Sequence, residues 1–85
     1  MYYVYVTISE KDGKLYTGST DDLKRRLAEH SAGYSKSTMN RRPLTLIYYE
    51  ACLMESDARK RERYLKSGMG KKYIHNRLRD YFNNL

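Results

Sequence analysis

An α+β fold, with a three-stranded antiparallel sheet flanked by about three helices, is the architecture these residues predict. Three observations lead there. Residues 2–9 alternate apolar and polar with a period of two, Asp12-Gly13 follows as a turn, and helical stretches rich in charge come after it. Eighty-five residues suffice for a single domain, expected over residues 1–85.

The first strand places Val4, Val6 and Ile8 on one face and Tyr3, Tyr5, Thr7 and Ser9 on the other. Asp12-Gly13 reads as a two-residue hairpin loop, because both residues accept positive φ. Leu15 to Ser19 forms the returning strand. With that loop, Lys11 faces Lys14, Ser9 faces Tyr16 and Thr7 faces Gly18, so Tyr16 shares the face of Tyr5. Gly18 then leaves that face open to an approaching ligand.

Ser19-Thr20-Asp21-Asp22 supplies N-cap candidates for a helix ending near Ser31. At 100° per residue from Leu23, Leu27 falls at about 40°, His30 at about −20° and Arg26 at about −60°. Arg26 and His30 therefore flank the leucines that pack on the sheet, whereas Lys24 and Arg25 turn toward solvent. Residues 32–43 form a polar, basic loop whose hydroxyls and cations, with Lys36, Arg41 and Arg42, suit phosphate; a plain connection is the alternative. Leu44 to Ala51 reads as the third strand.

A second helix from about Glu55 to Lys66 carries Met54, Ala58 and Leu65 on its inner stripe, with Gly68 past its end. Relative to Ala58, Glu62 falls at about 40° and Arg61 at about −60°, so both border that stripe. A last helix over about Lys71 to Asn83 buries Ile74, Leu78, Tyr81, Phe82 and Leu85.

Composition narrows the function classes. The formal net charge is +7 and ten residues are tyrosine. Basic groups attract polyanions and phenol rings stack on bases, so a nucleic acid is the expected partner: DNA, with RNA also open. A membrane is not expected, because the helices interleave acids with bases. One cysteine, Cys52, gives no disulfide framework and points to a reducing, cytoplasmic setting. A monomer is expected. Zinc spacings, phosphate-cradling glycine loops and nucleophile elbows are missing; Gly68-Met69-Gly70 reads as a helix break.

Glu62 is the sharpest residue. A carboxylate beside an apolar stripe must be paired, protonated or bound to a cation. One reading is an ion pair with Arg26, Arg61 or a neighbour; the other is Mg²⁺ (or Mn²⁺), which tolerates one protein carboxylate plus water and substrate phosphate. Arg26 has the planar fork that clamps phosphate, and His30 one turn later can share the anion or orient a water. Taken alone, His30 is equally a structural histidine, and Tyr5 and Tyr16 are equally core or stacking residues.

Tyr3-Val4-Tyr5, Tyr16-Thr17-Gly18, Arg26 within Asp22-Leu23-Lys24-Arg25-Arg26-Leu27, then His30 and Glu62 resemble, in order and spacing, the GIY-YIG nuclease domain, above all its small stand-alone bacterial proteins. The resemblance spans nearly the whole chain. It implies a divalent metal on Glu62 and in-line attack of water on a phosphodiester. Tyr5 and Tyr16 would then position or deprotonate the water, Arg26 would stabilise the charged transition state, and His30 would match the histidine of several branches. Two departures stand out. Tyr3 occupies the glycine position of the first motif, and the asparagine of many members, twelve residues past the metal carboxylate, is Ile74 here, with Asn76 nearby.

The expected function is a metal-dependent endonuclease acting on DNA, branched or single-stranded, in repair or recombination. A nucleic-acid-binding module without catalysis is the alternative, and a protein-interaction domain using the tyrosine-rich face is a third reading.

Overall fold

A computed structural model covers residues 1–85. The chain runs β1 (Tyr2–Ser9), β2 (Leu15–Thr20), α1 (Leu23–Ala32), a 3-10 turn (Met39–Arg41), β3 (Leu44–Cys52), α2 (Glu55–Lys66), α3 (Gly68–Arg77) and α4 (Arg79–Asn83). The three strands form one antiparallel sheet in the order β2-β1-β3. No helix is long and apolar enough to cross a membrane.

β1 is central and therefore covered on both faces. Val4, Val6 and Ile8 are buried on one side, and so are Tyr5, Thr7 and Ser9 on the other. Val4 and Val6 meet Ala58 and Leu65 of α2 and Ile74 of α3, which makes the apolar core. In the second set Tyr5 meets His30 of α1 and Ser9 donates to the Arg41 carbonyl of the 3-10 turn. β3 bulges opposite Val6 and Thr7, which pair with Tyr48 and Leu46 and leave Ile47 as the extra residue.

The hairpin register differs from the expected one by two residues. Tyr5 pairs with Gly18 and Thr7 with Tyr16. The loop is four residues wide instead of two, because the buried Ser9 side chain organises it. Ser9 Oγ accepts from the backbone N–H of Lys11 at 3.1 Å and of Asp12 at 3.3 Å, and Asp12 Oδ1 accepts from Lys14 N at 2.9 Å. Gly13 takes φ +71°, the left-handed conformation that a glycine accommodates. An even shift preserves which face each side chain occupies, so Tyr5 and Tyr16 still share one, two residues closer than expected.

α1 is capped by Asp22, whose side chain accepts from Arg25 N, and ends at Gly33 in the left-handed region. The expected long last helix is two, broken at Leu78 (φ −112°, ψ 34°), where Leu78 and Phe82 both turn onto the core. His75 stacks on Phe82 across that break, ring centres 4.2 Å apart. Met54 and Leu85 are exposed instead of buried: Met54 is the N-cap of α2, with extended backbone, and Leu85 lies past α4. The glycines after α2 are also not a simple break. Ser67 ends α2 and caps α3, and Gly70 is buried where a Cβ would strike the Tyr64 carbonyl and the Leu65 backbone.

Candidate active site

A cavity of about 470 Å³ opens at the β2 edge of the sheet. Tyr5, Tyr16, Arg26, His30 and Glu62 all line it, and these side chains come from four separate elements. Its walls also carry Ser19, Thr38, Lys66 and Lys71.

Tyr5 is buried because β1 is central, and its ring lies across Gly18 of β2. A Cβ on Gly18 would come 2.6 Å from Tyr5 Cζ. Gly18 lines the cavity, but the space of its missing side chain, expected from sequence to stand open to a ligand, is filled by the phenol. Tyr5 Oη and His30 Nε2 share a hydrogen bond of 2.9 Å, and His30 Nδ1 shares one of 2.7 Å with Thr38 Oγ1. All three residues are buried. Burial pushes the Tyr5 phenol above its ordinary value, although the Arg26 guanidinium opposes this. Burial also lowers His30, with the Arg26 charge adding to it, so the imidazole is held neutral and able to accept a proton.

Arg26 is held from its own helix by Glu29, Nη1 to Oε1 at 3.1 Å. Partial burial works against its charge, but the interactions with Tyr5 and Glu29 outweigh that and raise its value further. It is a fixed cation within the cavity. Tyr16 reaches the same cavity from β2, beside Thr7 on the sheet.

Glu62 enters from α2, four residues after the buried Ala58 and three before the buried Leu65. Ser19 Oγ donates to its Oε1 at 2.6 Å, and Lys66 Nζ donates to its Oε2 at 2.7 Å. Burial alone would raise the carboxyl, but the Lys66 and Ser19 hydrogen bonds and nearby cations outweigh it and lower the value below the usual glutamate range. The partners are neither Arg26 nor Arg61. Arg61, on the opposite flank of α2, forks onto Glu50 of β3 through Nε at 3.0 Å and Nη2 at 2.9 Å, over the rings of Tyr64 and Tyr73.

No group of three or more histidine, cysteine, aspartate or glutamate side chains could cage a metal. The donor set still suits Mg²⁺. Glu62 is ionised, already binds a cationic ammonium, and borders a cavity with room for several waters, each occupying about 30 Å³. One carboxylate plus water and substrate phosphate is an ordinary Mg²⁺ environment.

The basic loop does not join the site through the residues expected. Lys36 is exposed and lies outside the cavity. Arg41 pairs with Asp12 at 3.3 Å and its carbonyl accepts from Ser9 Oγ. Arg42 donates to the carbonyls of Met39 and Ser31 and packs against Gly33. The loop contributes Ser37 and the buried Thr38 instead. Ile74 is in the core, and Asn76 lies outside this cavity on α3.

Ser19, Thr38, Lys66 and Lys71 are among the wall residues that were not singled out from sequence. Lys66 was legible there, as the fourth residue after Glu62 on one helix face. Ser19 follows from the observed register only. Thr38 and Lys71 depend on the path of a loop and on the helix break, which periodicity does not report.

Comparison with known proteins places these features in context. The family model described as the GIY-YIG catalytic domain matches residues 1–75. A UPF0213 protein of Halobacterium salinarum is 46% identical over 67 residues, 78% of this chain and 86% of that protein. One from Staphylococcus haemolyticus is 42% identical over 78% of this chain and 80% of its own length. In a third, from Desulfotalea psychrophila, identity is 43% over 76% of this chain, which spans only 60% of that protein. The solution NMR structure of a UPF0213 protein from Bacillus halodurans superposes with a TM-score of 0.55 and 34% identity, covering 89% of this chain and 84% of that one. The match reaches from β1 through nearly all of α3, with every side chain of the cavity inside it, and on that ground the chain belongs to the GIY-YIG family.

Proposed function

We propose that the protein is a divalent-metal-dependent endonuclease that hydrolyses phosphodiester bonds in DNA, branched or single-stranded, with a place in repair or recombination. The observation that carries this reading is the convergence of Tyr5, Tyr16, Arg26, His30 and Glu62 on one solvent-reachable cavity. A reducing, cytoplasmic setting is part of the same reading and agrees with the free thiol of Cys52.

In this scheme Glu62 would hold Mg²⁺ or Mn²⁺, which would supply Lewis-acid neutralisation of phosphoryl charge. Arg26 binds the other oxygens of the scissile phosphate and stabilises the charge that grows on them. Tyr16 and Tyr5 position the attacking water. Tyr5 alone is a poor base, because burial raises its phenol. The neutral His30 behind it gives the phenol's proton a place to go, although burial and Arg26 weaken it as a base: as Tyr5 Oη takes a proton from water, its own proton passes to His30 Nε2 across the 2.9 Å bond. Thr38, bonded to Nδ1, holds the imidazole in line for this.

A second reading is a nucleic-acid-binding module without catalysis. It draws support from Lys66 and Ser19, which already satisfy Glu62. Incubating single-stranded, duplex and branched DNA with protein and Mg²⁺ or Mn²⁺ separates the two. The nuclease reading expects metal-dependent strand breaks that Glu62→Ala and Arg26→Ala abolish. Salt-sensitive binding with no product, or product unchanged in both variants, would refute it.

A further inference from the structure

The main cavity does not end at Tyr16. A second hollow of about 410 Å³ continues from it, sharing Leu15, Tyr16 and Lys71 as common walls and adding Gly13, Lys14 and His75. One side is the hairpin mouth and the other is the face of α3 that carries Lys71 and, one turn later, His75.

The charges around the cavity are lopsided. On the side of Ser19, a hollow of about 350 Å³ adjoins it, but there Arg25 is paired with Asp21 at 2.8 Å and Arg59 with Glu55 at 3.3 Å. On the Tyr16 side, Lys14 and Lys71 take part in none of the molecule's ion pairs, and no acid lines the hollow. Of the two adjoining hollows, only the one on the Tyr16 side therefore carries positive charge that no acid neutralises.

We propose that a single nucleic acid strand leaves the main cavity across Tyr16 and lies in the Lys14–Lys71–His75 trough, which seats the phosphates flanking the reacting one. The trough is an elongation of a cavity at a sheet edge, walled by a turn and one helix, and it takes one backbone. Tyr16, common to both hollows, offers its ring to the base between the two phosphate positions. This assignment rests on the nuclease reading for what occupies the main cavity, and it names the substrate segment as unpaired.

The test is binding, measured without metal so that no chemistry intervenes. Fluorescence anisotropy of a labelled oligothymidylate is followed from 50 to 200 mM salt for wild type, Lys14→Gln/Lys71→Gln, and a control, Lys24→Gln/Lys60→Gln. Both pairs are exposed and remove the same charge. Each phosphate contact contributes about 0.7 to the slope of log K against log salt for a single strand, so the trough variant should lose about 1.4 while the control keeps the wild-type slope. An equal loss in both variants, an unchanged slope in the trough variant, or wild type binding a blunt duplex as tightly as the oligothymidylate would each overturn the assignment. Slope loss in a protein that cleaves nothing keeps the trough and sinks the nuclease reading; cleavage with an unchanged slope does the reverse.

Discussion

Replacing Gly18 by alanine probes the packing that fixes Tyr5. A Cβ there would stand 2.6 Å from Tyr5 Cζ and 3.1 Å from Cε1, with Oη closer still. Carbon atoms at rest sit about 3.5–4.0 Å apart, so the ring or the β2 backbone must move by about 1 Å. The ring has little room, because its oxygen already bonds the buried His30 at 2.9 Å on the far side. Overpacking of this kind costs about 1–3 kcal/mol, and β2, as an edge strand, can yield part of it. The backbone at Gly18 is not left-handed, so alanine also gains about 0.4–1 kcal/mol by restricting the unfolded chain. A net loss of about 1–2 kcal/mol remains, and in a domain of this size each kcal/mol lowers Tm by roughly 4–8 °C. Thermal unfolding followed by circular dichroism reads it. The same substitution in a Tyr5→Leu background should cost nothing, which isolates the contact as a coupling between the two sites. A Tm equal to or above wild type for Gly18→Ala alone would show that the ring does not rest on Gly18.

Three further outcomes follow from the same geometry. Lys66→Met removes the ammonium that a divalent ion must displace from Glu62; Mn²⁺ binding followed by electron paramagnetic resonance should tighten about two- to fivefold, corresponding to about 0.3–1 kcal/mol for a helical pair with its lysine in solvent, and unchanged or weaker binding contradicts the arrangement. His30 has its value lowered by burial from 6.5, so the unfolded chain binds the extra proton first. Its contribution to stability is complete above pH 6.5 and is lost as pH falls from there toward the folded value. Wild type should lose Tm between pH 7.5 and 5.5, His30→Gln should lose less, and equal losses would remove His30 from the account. Gly70→Ala drives a methyl into backbone atoms of Tyr64 and Leu65 that cannot rotate away, and should destabilise by about 3 kcal/mol or prevent folding; a stable variant would show that α2 and α3 are not so closely joined.

Local pattern carried much of this molecule into view. β1 alternates, Asp22 caps α1, and Ala58 and Leu65 mark one ridge of α2, all readable from periods of two and 3.6. The same periodicity set Arg26, His30 and Glu62 beside their apolar stripes, and the structure brings those three side chains to one cavity. What stayed hidden depended on distant partners. The Ser9 hydroxyl widened the hairpin loop and moved the register by two, and only the even parity of that shift kept Tyr16 beside Tyr5. Arg41 and Arg42 looked like phosphate ligands by composition, yet Asp12 engages Arg41 and the carbonyls of Met39 and Ser31 engage Arg42. Arg61 and Glu62 are adjacent in sequence and both border the stripe, and which of them faces the cavity was decided by which strand each flank of α2 meets.

The account stands most directly on a single-turnover reaction in water enriched in ¹⁸O, with a labelled oligonucleotide carrying an unpaired segment, Mg²⁺ or Mn²⁺, and mass analysis of the products. Hydrolysis at the Tyr5–Arg26–Glu62 cavity predicts cleaved strands whose new terminal phosphate carries one ¹⁸O, formed by wild type and not by Glu62→Gln. Intact strands with wild type, or the same labelled product from both proteins, would contradict it.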